Sequence, residues 1–434
     1  MDDDALQSGM KPLHLVFVAH FAGSPSHGMV YGHYFLAREW VKLGHRVTIV
    51  AAGRAHTRFR QPELSGRVTE EMIDGIRYLW VRTPDYAAAS RMGRVFNLLS
   101  FVGQLLTVRL PVGEVDLVIC SSHCPFAIHP ARSLARRTGA RLIFEVRDLW
   151  PLTLVELGNV RPSHPLIRAM QWSEDYAYRH AEKVVSVLAA ARDYMVSRGM
   201  RADKFHFVPN GVDMSEEMGA NPLPSSHSEV LEELRRSGRF LIGYAGRVGV
   251  ANALHSLIDA LARCGDDSVH VVILGDGAYV ADLRERTQAL GVAGRVTFLA
   301  SVVKGQVNDF LTYMDTAYIG LQGQPLFRFG VSPTKLNDYM LAARPILYAI
   351  DAPGDVVAES GAGVSCKAED ADSIADGIRQ LVAAGPEGRK AMGERGHEWI
   401  KFNRSYSVLA ARFLEAVLPE TPVALQESSG GRTR

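Results

Sequence analysis

Residues 329–347 read FGVSPTKLNDYMLAARPIL, and the rest of the chain is organised around this stretch. It opens with a short loop, Gly330-Val331-Ser332-Pro333, continues as an expected helix over 334–342, and ends in an apolar strand over 345–349. Ser332 and Thr334 are both suitable N-caps, a helix start signal. The N–H groups and positive dipole end of such a helix suit an anion. Lys335 falls in the first turn, where a cation is electrostatically misplaced unless an anion lies nearby. Asp338 follows at i+3 on the same helix face, so both side chains can line one site. Taken alone, the stretch favours an ordinary surface ion pair.

The chain has 434 residues, room for two or three domains. Apolar content is 47%, charged content 22% and net charge +1, a globular composition with no bulk basicity for nucleic acid. Four cysteines, Cys120, Cys124, Cys264 and Cys366, are too few and scattered for a disulfide framework. Cys120-Ser-Ser-His123-Cys124 lacks zinc-knuckle spacing and a second ligand pair, so buried thiols at a strand end are expected. The opening MDDDALQSGMKP is acidic, unlike a signal peptide, and no apolar run approaches the ~20 residues of a membrane span. A reduced, cytoplasmic setting is expected. The polar segment 419–434 reads as a disordered tail.

Residues 13–19 (LHLVFVA) are continuously apolar, as in a strand buried on both faces. A loop with Gly28 at its end, a helix over 29–43 and a strand over 46–51 complete a β-loop-α-β unit. That unit implies a parallel sheet with ligands at the strands' C-terminal ends. Neither this loop nor the glycines at 243, 246 and 249 form G-x-G-x-x-G, which speaks against NAD. Further strands are expected at 76–82, 115–121, 141–146, 183–187 and 205–208. Pro209-Asn210-Gly211-Val212-Asp213 is a turn by composition, and 214–228 reads as a linker. A second β/α series starts at 240–245. Its loop Gly246-Arg247-Val248-Gly249 delivers Arg247 and backbone N–H groups to a helix start, a usable diphosphate site. Residues 370–418 are helical, with an apolar face at Trp399, Phe402, Tyr406, Leu409, Phe413 and Leu414. Segment 90–110 reads either as a helix packed on the sheet or as an interfacial helix. In the second reading Arg91, Arg94 and Arg109 sit near anionic headgroups and Phe96, Leu99 and Phe101 dip in.

Three segments carry a resemblance. Ser332-Pro333-Thr334-Lys335-Leu336-Asn337-Asp338-Tyr339-Met340 with Ala343-Arg344-Pro345-Ile346, Glu145-Val146-Arg147-Asp148-Leu149-Trp150-Pro151, and the 209–213 turn resemble family 4 glycosyltransferases. These are retaining enzymes of the GT-B fold, and the chain is most similar to the bacterial O-antigen and capsule subgroup. The resemblance implies an α/β architecture of two facing Rossmann-like domains, at 11–213 (acceptor side) and 229–400 (donor side). A helix at 401–418 would cross back to the first.

By the same resemblance, Gly28, Gly246, Arg247, Gly275, Gly277, Val303, Gly330, Val331, Ser332, Lys335 and Asp338 hold the donor. Arg247 and Lys335 would neutralise the diphosphate, Asp338 would meet the ribose, and Val303 would wall the base. His27, His123, Glu145 and Asp148 would face the acceptor. Asp148 would assist deprotonation of the attacking hydroxyl, and Arg147 would hold an acceptor phosphate or orient Asp148. The family carries two glutamates eight positions apart. Here those positions are Gly330 and Asp338, so the N–H groups of Gly330 and Val331 are expected to replace the first.

No Asp-x-Asp motif stands at a strand end, in keeping with a metal-independent fold class, so neither metal nor cofactor is expected. The implied reaction moves a sugar, an N-acetylated hexosamine or deoxyhexosamine, from a UDP-sugar to an undecaprenyl-diphosphate-linked saccharide at the inner face of the cytoplasmic membrane. A UDP-sugar 2-epimerase of the same fold and a non-catalytic nucleotide-sugar-binding subunit are the alternatives.

Overall fold

The structure is a computed structural model that describes residues 11–28, 31–87, 90–215 and 221–419. The expected tail lies almost wholly outside these residues, as do Met29 and the side chain of Arg91. Two sheets form. The first contains β1 (His14–Val18), β2 (Arg46–Ala52), β3 (Val68–Ile73), β4 (Ile76–Val81), β5 (Leu117–Ser121), β6 (Arg141–Val146), β7 (Lys183–Ser186) and β8 (Phe205–Phe207). Their spatial order is β3-β4-β2-β1-β5-β6-β7-β8. The second contains β9 (Phe240–Ala245), β10 (Val269–Leu274), β11 (Val296–Leu299), β12 (Thr316–Gly320), β13 (Ile346–Ala349) and β14 (Gly363–Cys366), in the order β11-β10-β9-β12-β13-β14.

All pairings are parallel except β3 with β4. The sequence reading missed β3, because VTEEMI is too polar for a core strand. Its signal was the Asp74-Gly75 turn, where both residues take positive φ (49° and 78°), as a tight hairpin needs.

Strand alternation sorts the first core. Leu15 and Phe17 of β1 face the helix Tyr31–Lys42, while Val16 and Val18 face the helices Arg91–Thr107 and Ile128–Thr138. The helix Arg91–Thr107 is therefore packed on the sheet along one side, through Phe101 (0% exposed) and Leu105. Phe101 cannot dip into a membrane, contrary to the grouping made above. Met92, Phe96, Leu99 and Leu106 remain on the open side.

The linker is shorter than expected. The helix Ser225–Arg236 begins inside it, and Leu223 is buried, with its N–H donated to Asp309. At the other end, the helix Gly385–Arg404 packs on the second sheet and stops at Ser405, whose backbone is extended and pairs with Val212. The helix Tyr406–Val417 then returns to the first domain. The crossover thus turns at Ser405 rather than 401, and Phe402, expected on the apolar face, points to solvent. Trp40 fixes the return: it is fully buried, packs edge-on against Phe413 at 5.2 Å, and donates its indole N–H to Ala410 O at 3.0 Å. Trp40→Ala opens a cavity and orphans that carbonyl. Urea unfolding is expected to show a loss of about 3–5 kcal/mol.

Candidate functional site

On the second sheet, the loops after β9 and β10 touch. Gly246 N–H donates to Leu274 O and Val248 N–H to Asp276 O, both at 2.9 Å. A Cβ on Gly275 would lie 1.9 Å from Gly246 O, and one on Gly277 would lie 1.9 Å from Val248 O. These two glycines exist so that the loops can meet backbone to backbone. Gly246 has a different neighbour: a Cβ there would fall 2.5 Å from Lys335 Cε. Lys335 lies along this loop, donating from Nζ to Tyr244 OH at 2.5 Å and Asn252 Oδ1 at 3.0 Å, with Nζ 4.3 Å from the centre of the Tyr244 ring. No carboxylate pairs with it among the described residues. Burial lowers its pKa to about 8.

Tyr244 and Asn252 were missed by the sequence reading. The Asn252 side-chain amide ties Lys335 to the carbonyl of Arg247.

The helix Thr334–Leu341 has no side-chain cap. Ser332, expected as a cap, instead accepts the backbone N–H of Asn210 at 3.0 Å. The first turn's dipole is thus left for another anion. Arg247 is exposed beside it, and an open recess of about 610 Å³ runs along Gly246, Arg247, Gly275, Asp276, Ser301 and Val302. Asp276 accepts from the Ser301 N–H and hydroxyl, shaping the recess wall. Val303 lies exposed beside Val302, and Asp338 is 3.7 Å from Lys304.

Gly330 differs from expectation. Its N–H is already donated to Phe327 O at 2.9 Å, so only half-buried Val331 can still offer a backbone donor there. The absence of a glutamate has a steric cause. Gly330 sits at φ 95°, ψ 164°, and a Cβ would lie 3.1 Å from Ala189 N in the other domain.

On the first sheet, the predicted acceptor residues divide. Asp148 follows β6 with its side chain open to the cleft. Protein surrounds it closely enough that burial raises its carboxyl pKa, opposed by Arg147. His123 follows β5 and is half-buried; burial first, then Arg147 and His33, lower its pKa to about 3, so it is a neutral imidazole.

Glu145 is not an acceptor contact. It is buried and bound by His33 Nε2 at 2.9 Å and Arg147 Nη1 at 3.1 Å. Burial would raise its pKa, but His33 and Arg147 outweigh that and hold it well below the carboxylate range. Arg147 is committed in turn, through Glu145 and Asn210 Oδ1, and makes no hydrogen bond to Asp148. His27 is also buried, with Nδ1 against Ser24, Nε2 3.7 Å from Glu71 and its ring on Trp80. Gly28 turns at φ 74° beneath Phe59. Both belong to the loop's own packing.

The two sides are joined by residues 325–337. Phe329 enters the first core beside Tyr194, Ala190 N–H donates to Phe329 O at 2.9 Å, and Arg328 forms a two-pronged pair with Glu156 at 2.7 and 2.8 Å. Arg328 thus bridges the two domains while remaining exposed. Gly330→Ala is expected to cost roughly 1–3 kcal/mol through φ strain and the Ala189 contact, read as a lower thermal midpoint.

With this geometry in view, comparison with known proteins is informative. Residues 28–211 match the Glycosyl transferase 4-like domain family and residues 229–399 match Glycosyl transferases group 1. A curated relative, the GDP-mannose-dependent alpha-(1-6)-phosphatidylinositol monomannoside mannosyltransferase of Mycobacterium tuberculosis, is 23% identical over 54% of this chain and 60% of its own length. Among solved structures, HepE of Anabaena in complex with UDP superposes with TM-score 0.63 at 16% identity, covering 93% of this chain and 99% of that one. Sucrose-phosphate synthase from Thermosynechococcus elongatus gives 0.67 at 14% identity, covering 93% and 98%. The chain has the GT-B fold, with a region matching a glycosyl transferase 4-like domain followed by one matching glycosyl transferases group 1, and it spans about 60% of the length of the curated relative it matches.

Proposed function

We propose that the protein is a retaining transferase that moves a sugar, an N-acetylated hexosamine or deoxyhexosamine, from a UDP-sugar to an undecaprenyl-diphosphate-linked saccharide. The observation that carries this reading is Lys335: a half-buried cation with no carboxylate partner among the described residues, at an uncapped helix start, against a glycine loop that also presents Arg247. A diphosphate supplies the missing charge. As the glycosidic bond breaks, negative charge grows on the leaving diphosphate, and Lys335, Arg247 and the helix dipole stabilise it in place. Asp338, Val302 and Val303 are assigned to the nucleoside, and Asp148, at the opposite wall, to the attacking hydroxyl. No cofactor is invoked. The UDP-bound relative of similar fold supports the choice of nucleotide.

Calorimetric titration with UDP-, GDP- and dTDP-sugars, followed by addition of a lipid-linked sugar, tests this. Acceptor-dependent UDP release is expected, and Lys335→Ala should abolish it. Tight UDP-sugar binding with no UDP release under any acceptor would favour the epimerase, which makes an epimerised UDP-sugar without acceptor, or the binding subunit, and unchanged turnover in Lys335→Ala would sink the site assignment. The sign of the pH dependence follows from the depressed pKa. Free Lys335 loses its proton as pH rises through about 8, so UDP affinity should fall above that pH. Folding stability moves oppositely: the cost of burying the cation is complete below about 8 and is relieved between about 8 and the ordinary lysine value near 10.5.

The lipid acceptor places the protein at a membrane surface. No helix among the described residues is long and apolar enough to cross one. Met92 (79% exposed), Phe96 (63%), Leu99 (48%) and Leu106 (58%) form an exposed stripe on the helix Arg91–Thr107, with Arg94 and Arg109 beside it. Sedimentation with phosphatidylglycerol vesicles is expected, and Phe96→Asp should weaken it at least several-fold while leaving UDP affinity intact. Equal sedimentation of the variant would remove this face from the reading.

A further inference from the structure

Arg58 follows β2 at the ligand end of the first sheet, and its surroundings do not neutralise it. It is 4% exposed, stacks its guanidinium 4.8 Å from the centre of the Trp80 ring, and donates from Nη2 to Ala52 O. Nε and Nη1 have no hydrogen-bond partner. Among the groups that act on its charge, Tyr86 comes first, then Arg54, which is itself paired with Asp85 at 2.7 Å, then Tyr78; the imidazoles of His20 and His27 also feel it. No carboxylate pairs with it among the described residues. Burial lowers its pKa to about 10, which still leaves it charged at neutral pH. A buried unpaired cation is strongly disfavoured. Two further orphans lie close by, Thr57 Oγ1 and His20 Nδ1. Near the group, His20 packs on Phe21 at 4.4 Å, and Phe21 on His123 at 6.2 Å.

We propose that Arg58, with the Thr57 hydroxyl, binds an anionic oxygen group of the acceptor, a phosphate or a carboxylate. This rests on the transferase reading above and moves the anion-binding role from Arg147, whose guanidinium is spent on Glu145 and Asn210, to a residue with unfilled donors. A guanidinium suits such a group because its planar donors match oxyanions.

The test uses the full chain with saturating UDP, so that the Arg247 and Lys335 side is filled. Inorganic phosphate and glucuronate are titrated separately by calorimetry into wild type, Arg58→Met, Arg58→Lys and Thr57→Val. Saturable binding of one anion is expected, weakened at least tenfold in Arg58→Met, less in Arg58→Lys and several-fold in Thr57→Val, with UDP affinity unchanged. Phosphate binding alone assigns the group to a phosphorylated acceptor; glucuronate binding alone assigns it to an acidic sugar. Absence of binding by either anion to the UDP-loaded wild type overturns the proposal. So does undiminished affinity in Arg58→Met or, should that variant not fold, in both Arg58→Lys and Thr57→Val. Failure of UDP itself to bind would instead refute the transferase reading, so the two failures are separable.

Discussion

Asn210 is the point on which both walls of the cleft depend. Its backbone N–H and side-chain amide both bind Ser332, its carbonyl accepts from Asn337, and its side-chain oxygen accepts from Arg147. One residue in the turn that ends the first sheet therefore positions the start of the donor helix and the end of β6. Gly211 beside it has no room for a Cβ, which would lie 2.9 Å from Tyr406 and Leu409 of the returning helix. The turn, the donor helix and the C-terminal crossover are thus one packed unit. Phe329 and Arg328 extend that unit into the first core.

The electrostatics follow the same division of labour. Glu145, His33 and Arg147 form one hydrogen-bonded set, with Glu145 and His33 buried and Arg147 half-buried, that ties the helix Tyr31–Lys42 to the end of β6, while His33 Nδ1 has no partner among the described residues. Such a set stabilises only while intact, because removal of one member leaves a buried charge uncompensated. Open groups lie around it: Asp148 on one wall, Lys335 and Arg247 on the other. Lys335 and, at the ligand end of the first sheet, Arg58 share one property: neither pairs with a carboxylate among the described residues.

Much of this was legible from residue order. Continuous apolar runs separated by helix-length segments implied parallel sheets, because only a strand covered on both faces tolerates such a run. Lys335 in a first helical turn and Arg147-Asp148 at a strand end stood out by residue chemistry, although the folded chain ties Arg147 to Glu145 and Asn210. The missed elements share a cause. The strand Val68–Ile73 and the helix Ser225–Arg236 are polar and lie at the edge of the sheet or under a loop, so their hydrophobic periodicity is weak.

What the sequence by itself determined is the α/β architecture of two domains and the identity of the charged residues at the strand ends, since burial periodicity and residue chemistry are local properties. What only the tertiary structure decided is which of those charges are available. Glu145, Arg147 and His27 carry the same chemistry as Asp148 and Lys335, yet partners remote in sequence, such as His33, Asn210 and Trp80, consume them. Gly330 likewise reads as a lost glutamate until Ala189, 141 positions earlier, is seen to occupy the space its side chain would need. Availability depends on what lies within a few ångströms in space, and that neighbourhood exists only once the chain has folded.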